Sequence, residues 1–186
     1  VASAMHDPPT RPTRGRQASL GRATPHRLLV LGMDAADMIS GAGGLICDSV
    51  RTGLYVDVYL QTVGDEMALQ ILGVCAQTLP AEFDFGADWP DAIVVTAALQ
   101  AQHQGVRNLV MDAARARRSE LALWGGTRPT NFEASTEIEH RLSTAAQAFK
   151  RHAMKAVGAA SEMTFTESFH VGKNRTAGPV SPLLAR

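Results

Sequence analysis

Short apolar runs separated by helix-length segments constrain this chain more than any other feature. Each run has the length and continuity of a strand buried on both faces. RLLVLG (Arg27 to Gly32) is the first, and LYVDVYLQTV (Leu54 to Val63), rich in β-branched and aromatic residues, is the second. DAIVVTA (Asp91 to Ala97) and ELALWG (Glu120 to Gly125) follow. Between them Asp37 to Arg51, Asp65 to Gln77 and Gln104 to Arg118 are long enough for helices. Strands alternating with helices predict an α/β fold, a three-layer sandwich around a mainly parallel, Rossmann-like sheet. Gly53 is placed to end the first helix as a left-handed cap residue. Pro80 is the expected stop for the second.

A chain of 186 residues suits one domain with a sizeable core. Its 18 basic and 18 acidic side chains cancel, so the global charge advertises no specific nucleic acid and no anionic membrane. No apolar run approaches the roughly 20 residues that cross a bilayer, and the N-terminus lacks the apolar core of a secretory signal. The expectation is a soluble, cytoplasmic protein. Residues 1–26 carry Arg11, Arg14, Arg16 and Arg22 with Pro8, Pro9, Pro12 and Pro25, and little that builds a core. They read as a basic flexible tail ahead of a single domain over 27–186. Cys47 and Cys75 lie in apolar segments read as helices and are expected as buried thiols.

In a parallel sheet of this kind ligands bind outside the carboxyl ends of the strands. That rule draws attention to MDAADMISGAGG (Met33 to Gly44), where Asp34 and Asp37 follow the first strand. The loop TVGDE, with Thr62 and Asp65, belongs beside them, as does the loop after DAIVVTA with Gln100, Gln102 and His103. Carboxylate and imidazole from separate strand ends suit zinc or another first-row divalent ion. Simpler roles compete. An aspartate at a helix start caps free N–H groups, as Asp37 would, and Asp34 fits a strand-to-helix turn. His103 fits a helix start as well as a ligand. Gly41, Gly43 and Gly44 match no phosphate-loop spacing and suit close packing of helix on sheet.

Arg27 to Glu66 resembles the opening of the LmbE-like or PIG-L family of zinc-dependent N-deacetylases: an apolar strand, the motif HPDDE, then GAGG, a helix, and a strand ending in T-x-G-[DE]. Pro90 to Arg115 is similar to that family's PD-apolar strand, HPDH motif and helix, and FKRHAMK with ESFHV is a weaker match to its C-terminal helix and final segment. The resemblance implies metal-dependent hydrolysis of an N-acyl bond on a small polar or sugar-like substrate. It places Asp34, Ala35, Ala36, Asp37 and Met38 on HPDDE, and Gln100, Ala101, Gln102 and His103 on HPDH. The implied metal ligands are Asp34, Asp37 and His103. The implied substrate contacts are Gly43, Gly44, Thr62, Asp65 and Gln100.

The motif is altered where chemistry is concentrated. A family histidine ligand is replaced by Asp34, and the general-base carboxylate by Ala36. Loss of a general base costs typically 10²–10⁴-fold in rate. Asp34 is the one candidate to take over as base, but it is also needed as a ligand. Two functions therefore stay open: a divergent metal hydrolase using a divalent metal such as zinc, or a catalytically inactive family member acting as a binding or assembly subunit. Either takes a small-molecule ligand, and the sequence is compatible with a homo-oligomer.

Overall fold

The computed structural model describes residues 26–126, 135–159 and 164–172. Among these residues seven strands form one sheet: β1 (Arg27–Gly32), β2 (Tyr55–Leu60), β3 (Ala76–Thr78), β4 (Ala92–Thr96), β5 (Glu120–Trp124), β6 (Ser135–Arg141) and β7 (Thr166–Gly172). Their spatial order is β3-β2-β1-β4-β5-β7-β6. The first five are parallel, with Leu28 of β1 opposite Val56 of β2 and Ala92 of β4. β7 runs antiparallel to β5, and β6 antiparallel to β7.

Among the described residues five helices cover the sheet: α1 (Ala35–Arg51), α2 (Glu66–Ile71), α3 (Ala97–Gln102), α4 (Gln104–Ala116) and α5 (Thr144–Ala156). Alternation along the strands sorts their side chains between two cores. Leu28, Val30, Ala92, Val94, Ala122 and Trp124 pack in one core with α1, α2 and α5. Leu29, Leu31, Ile93, Val95, Leu121 and Leu123 pack in the other with Leu99 of α3 and with Val106, Leu109, Val110 and Ala113 of α4. Both faces of the sheet are thus buried, which is why the strands read as unbroken apolar runs. Each large aliphatic side chain removed from water contributes about 1.5–3 kcal/mol before chain entropy is counted. The three-layer α/β architecture is the one the sequence pattern implies.

Local detail departs from the pattern in two places. The segment from Asp65 does not stay helical to Gln77: α2 ends at Ile71, and Gly73 takes φ +84. Only glycine adopts that conformation without strain, so the chain turns there and adds the short edge strand β3. Cys75 falls in this turn and is exposed, whereas Cys47 in α1 is buried; both thiols are free. Burial pushes the Cys47 thiol pKa up. The stretch after β4 is the helix α3 and not a loop, so Gln100 is held on a helix and buried. The first helix does end as expected, with Gly53 at φ +87 just beyond it.

Of the proposed N-terminal tail only His26 lies within the described residues. Among the described residues no helix is long and apolar enough to cross a membrane.

Candidate functional site

β1 and β4 lie side by side, but the chain leaves β1 toward β2 and leaves β4 toward β5. The sheet therefore has a topological switch point between them, where a crevice opens at the carboxyl ends. Asp37, in the first turn of α1, points into this region. Its Oδ2 accepts from the Met33 amide at 3.1 Å. Its Oδ1 faces the Thr96 hydroxyl at 3.5 Å and the Trp124 indole N–H at 3.4 Å, both long for hydrogen bonds. Thr96 ends β4 and Trp124 ends β5, so three strand ends meet around one carboxylate.

The indole can lie there because residue 41 is glycine. A Cβ on Gly41 would stand 1.9 Å from Trp124 Cδ1. Trp124 is 3% exposed and closes this side of the crevice.

The other residues singled out by sequence have separate settings. Asp34 is the N-cap of α1, its Oδ1 accepting from the Asp37 amide at 2.8 Å. His103 joins α3 to α4 and caps α4, its Nδ1 accepting from the Val106 amide at 3.3 Å. Thr62 is exposed, and its amide donates to the Met33 carbonyl at 2.9 Å. Asp65 is exposed, in the left-handed conformation at φ 53 before α2, without a side-chain capping bond. Gly43 and Gly44 are buried inside α1, Gly43 facing Ile39, Leu72 and Lys150 and Gly44 against Leu142. Their setting is helix packing.

Among the described residues no three or more His, Cys, Asp or Glu side chains stand together to hold a metal ion. Asp34, Asp37 and His103 are therefore not grouped as a three-ligand centre as placed, and Asp34 and His103 each act as a helix cap.

Beside Asp37 the crevice continues into a concavity of about 360 Å³ among α1, the end of β5, α5 and β7, whose lining includes Asp37, Ser40, Trp124, Lys150, Thr166 and Glu167. Asp34, Asp65 and His103 do not line it. Lys150 from α5 and Glu167 from β7 form a buried ion pair, Nζ to Oε1 2.6 Å. Neither they nor Trp124 stood out as functional in the sequence, although Lys150 lies in FKRHAMK and Glu167 in ESFHV.

A larger cavity of about 750 Å³ is lined by His26, Asp48, His140 and Ser143 among others. Asp48 accepts from Ser143 Oγ at 2.5 Å and pairs with His140 Nε2 at 3.2 Å. The carboxylate sits between hydroxyl and imidazole, so the serine hydroxyl is bonded to Asp48 in place of the imidazole and the Ser-His-Asp order of a nucleophilic triad is absent.

No family model matches the sequence, and no curated protein does. Solved structures match the fold. A deacetylase triple mutant of the teicoplanin biosynthetic pathway superposes with a TM-score of 0.56 at 13% identity, covering 78% of this chain and 97% of that one. The chain shares its fold with that deacetylase. The zinc-inhibited form of teicoplanin deacetylase gives a TM-score of 0.52 at 12% identity, covering 78% of this chain and 97% of its own. The 4-carboxy-2-hydroxymuconate hydratase from Pseudomonas putida gives 0.56 at 12% identity, covering 84% and 100%. Identities this low carry the fold alone. A hydratase among these deacetylase-like folds means that the architecture by itself does not fix the reaction.

Proposed function

We propose that this protein is a non-hydrolysing, deacetylase-like binding protein whose crevice takes a small polar ligand. One observation carries the reading. The Asp37 carboxylate is turned onto the Met33 amide and the Trp124 indole, while the neighbouring motif position offers only the methyl group of Ala36. A hydrolase of the kind the resemblance implies needs a held metal with an open position and a base beside it. Asp34, the remaining candidate base, is engaged as a helix cap.

The alternative is metal-dependent hydrolysis of an N-acyl bond on a small polar or sugar-like substrate, with Asp34, Asp37 and His103 around a divalent ion such as zinc. The deacetylases among the solved structures support it. Metal content of the purified protein, zinc titration by calorimetry, and hydrolysis of simple N-acetylated sugars separate the two. The binding reading expects no stoichiometric zinc and no hydrolysis, together with a change in Trp124 fluorescence when a small polar ligand is added. Stoichiometric zinc with turnover overturns it.

A further inference from the structure

We infer that Lys150 and Glu167 are positioning residues: they grip the backbone of residues 40–45 of α1 from outside the helix and thereby seat Trp124 beside Asp37. In a regular helix the Gly44 amide donates to the Ser40 carbonyl, four residues back. From outside the helix, Glu167 Oε1 accepts from the Gly44 amide at 2.7 Å and Glu167 Oε2 from the Leu45 amide at 2.9 Å. The Ser40 carbonyl accepts from Lys150 Nζ at 2.6 Å, and the same Nζ donates to Glu167 Oε1 at 2.6 Å. Both members of one helical pair are therefore met by charges of the appropriate sign. The carboxylate holds the N–H side as it would at a helix start, and the ammonium holds the carbonyl side as it would at a helix end.

The location gives the device its consequence. Between Ser40 and Gly44 lie Gly41, Ala42 and Gly43, and Gly41 is the residue on which the Trp124 ring rests. The Lys150 and Glu167 side chains are only 9% and 2% exposed, and both residues line the crevice. A buried ion pair is a weak source of net stability. What this one supplies is a fixed position for residues 40–45 of α1, held from outside the helix through the Ser40 carbonyl and the Gly44 and Leu45 amides. The inference rests on the ligand-binding reading only in giving that geometry a use.

The test uses ¹⁵N-labelled full-length protein with Glu167→Gln, Lys150→Met and the neutral double variant. Glutamine presents an amide N–H₂ where one backbone donor needs an acceptor, so it serves only one of the two amides. In Glu167→Gln, Gly44 and Leu45 should exchange at least about tenfold faster than in the parent, relative to Ser49 and Val50 of the same helix. The Trp124 indole resonance, identified by its persistence in Trp89→Phe, should move. The double variant, free of an orphaned buried charge, should regain global stability yet keep both changes. A role in stability alone predicts instead that the indole resonance and amide exchange return to parental values with the stability, and that result overturns the proposal. If Glu167→Gln does not fold, the double variant decides. Parental protein with these signatures but no small polar ligand removes the ligand reading and leaves the positioning role standing.

Discussion

Gly41 and Trp124 are in contact so close that a methyl group cannot be placed between them: an added Cβ would lie 1.9 Å from Cδ1 and 2.3 Å from Nε1 of the indole. Alanine normally favours a helix over glycine by about 1 kcal/mol. At this position the clash with a rigid buried ring outweighs that gain, because overpacking costs about 1–3 kcal/mol. Gly41→Ala should therefore destabilise the protein and expel the indole, shifting Trp124 emission to the red. Urea denaturation with fluorescence detection checks both effects. A stabilised protein with unchanged emission would show that the ring does not rest on residue 41.

The thiols should behave differently although both are free. The thiolate is the reactive form, and burial raises the Cys47 pKa, so at neutral pH Cys47 is both inaccessible and protonated. A disulfide reagent added to native protein should label Cys75 rapidly and reach Cys47 only on unfolding. Mass spectrometry of the labelled peptides reads the order. Equal labelling of both residues in native protein would contradict the burial of α1.

What was legible in the sequence follows from how each residue is constrained. β1, β4 and β5 are buried on both faces and announce themselves as apolar runs, which gives the architecture. β3 is a short edge strand entered through Gly73, and its partial exposure leaves no apolar signature. The β6 segment STEIEHR lies at the sheet edge with mostly polar residues, so pattern alone does not mark it as a strand. At the crevice, Asp37 was visible because it follows the first strand, at the carboxyl end of a parallel sheet where ligands bind, and falls on an acidic position of the HPDDE pattern. Lys150 and Glu167 were not, because a lysine in a helix and a glutamate in a strand read as solvated charges until α5 and β7 bring them together over α1. His103 illustrates the opposite case: imidazole suggests a ligand, yet its Nδ1 closes the first turn of α4.

Asp34 gives a direct measurement of the same distinction. As an N-cap it accepts from the Asp37 amide at 2.8 Å, and loss of such a cap costs about 1 kcal/mol. Asp34→Ala should lower stability by about that amount in the presence of a chelator, whereas Asp34→Ser, which keeps a capping oxygen, should stay close to the parent. A serine variant as unstable as the alanine variant would mean that the carboxylate does something other than cap α1.

Arg27 tests how burial sets the value of an ion pair, because one guanidinium meets two carboxylates in different surroundings. Its Nε donates to Asp57 Oδ2 at 2.6 Å, with the Asp57 side chain 8% exposed on β2. Its Nη1 donates to Asp88 Oδ2 at 3.2 Å, with the Asp88 side chain 89% exposed. Water screens the second pair and already solvates that carboxylate, so Asp88→Asn should change stability by less than about 0.5 kcal/mol. Removal of the Asp57 carboxylate leaves the guanidinium, 25% exposed and lying over the Phe85 ring, without its close partner in a largely dry site. Breaking a fully buried pair costs about 3–5 kcal/mol, and partial exposure of Arg27 reduces this, so Asp57→Ala should cost about 2–3 kcal/mol. Parallel thermal and urea unfolding of the two variants measures the contrast. Equal losses from both would mean that the attachment of β1 to β2 does not depend on the buried member of the pair.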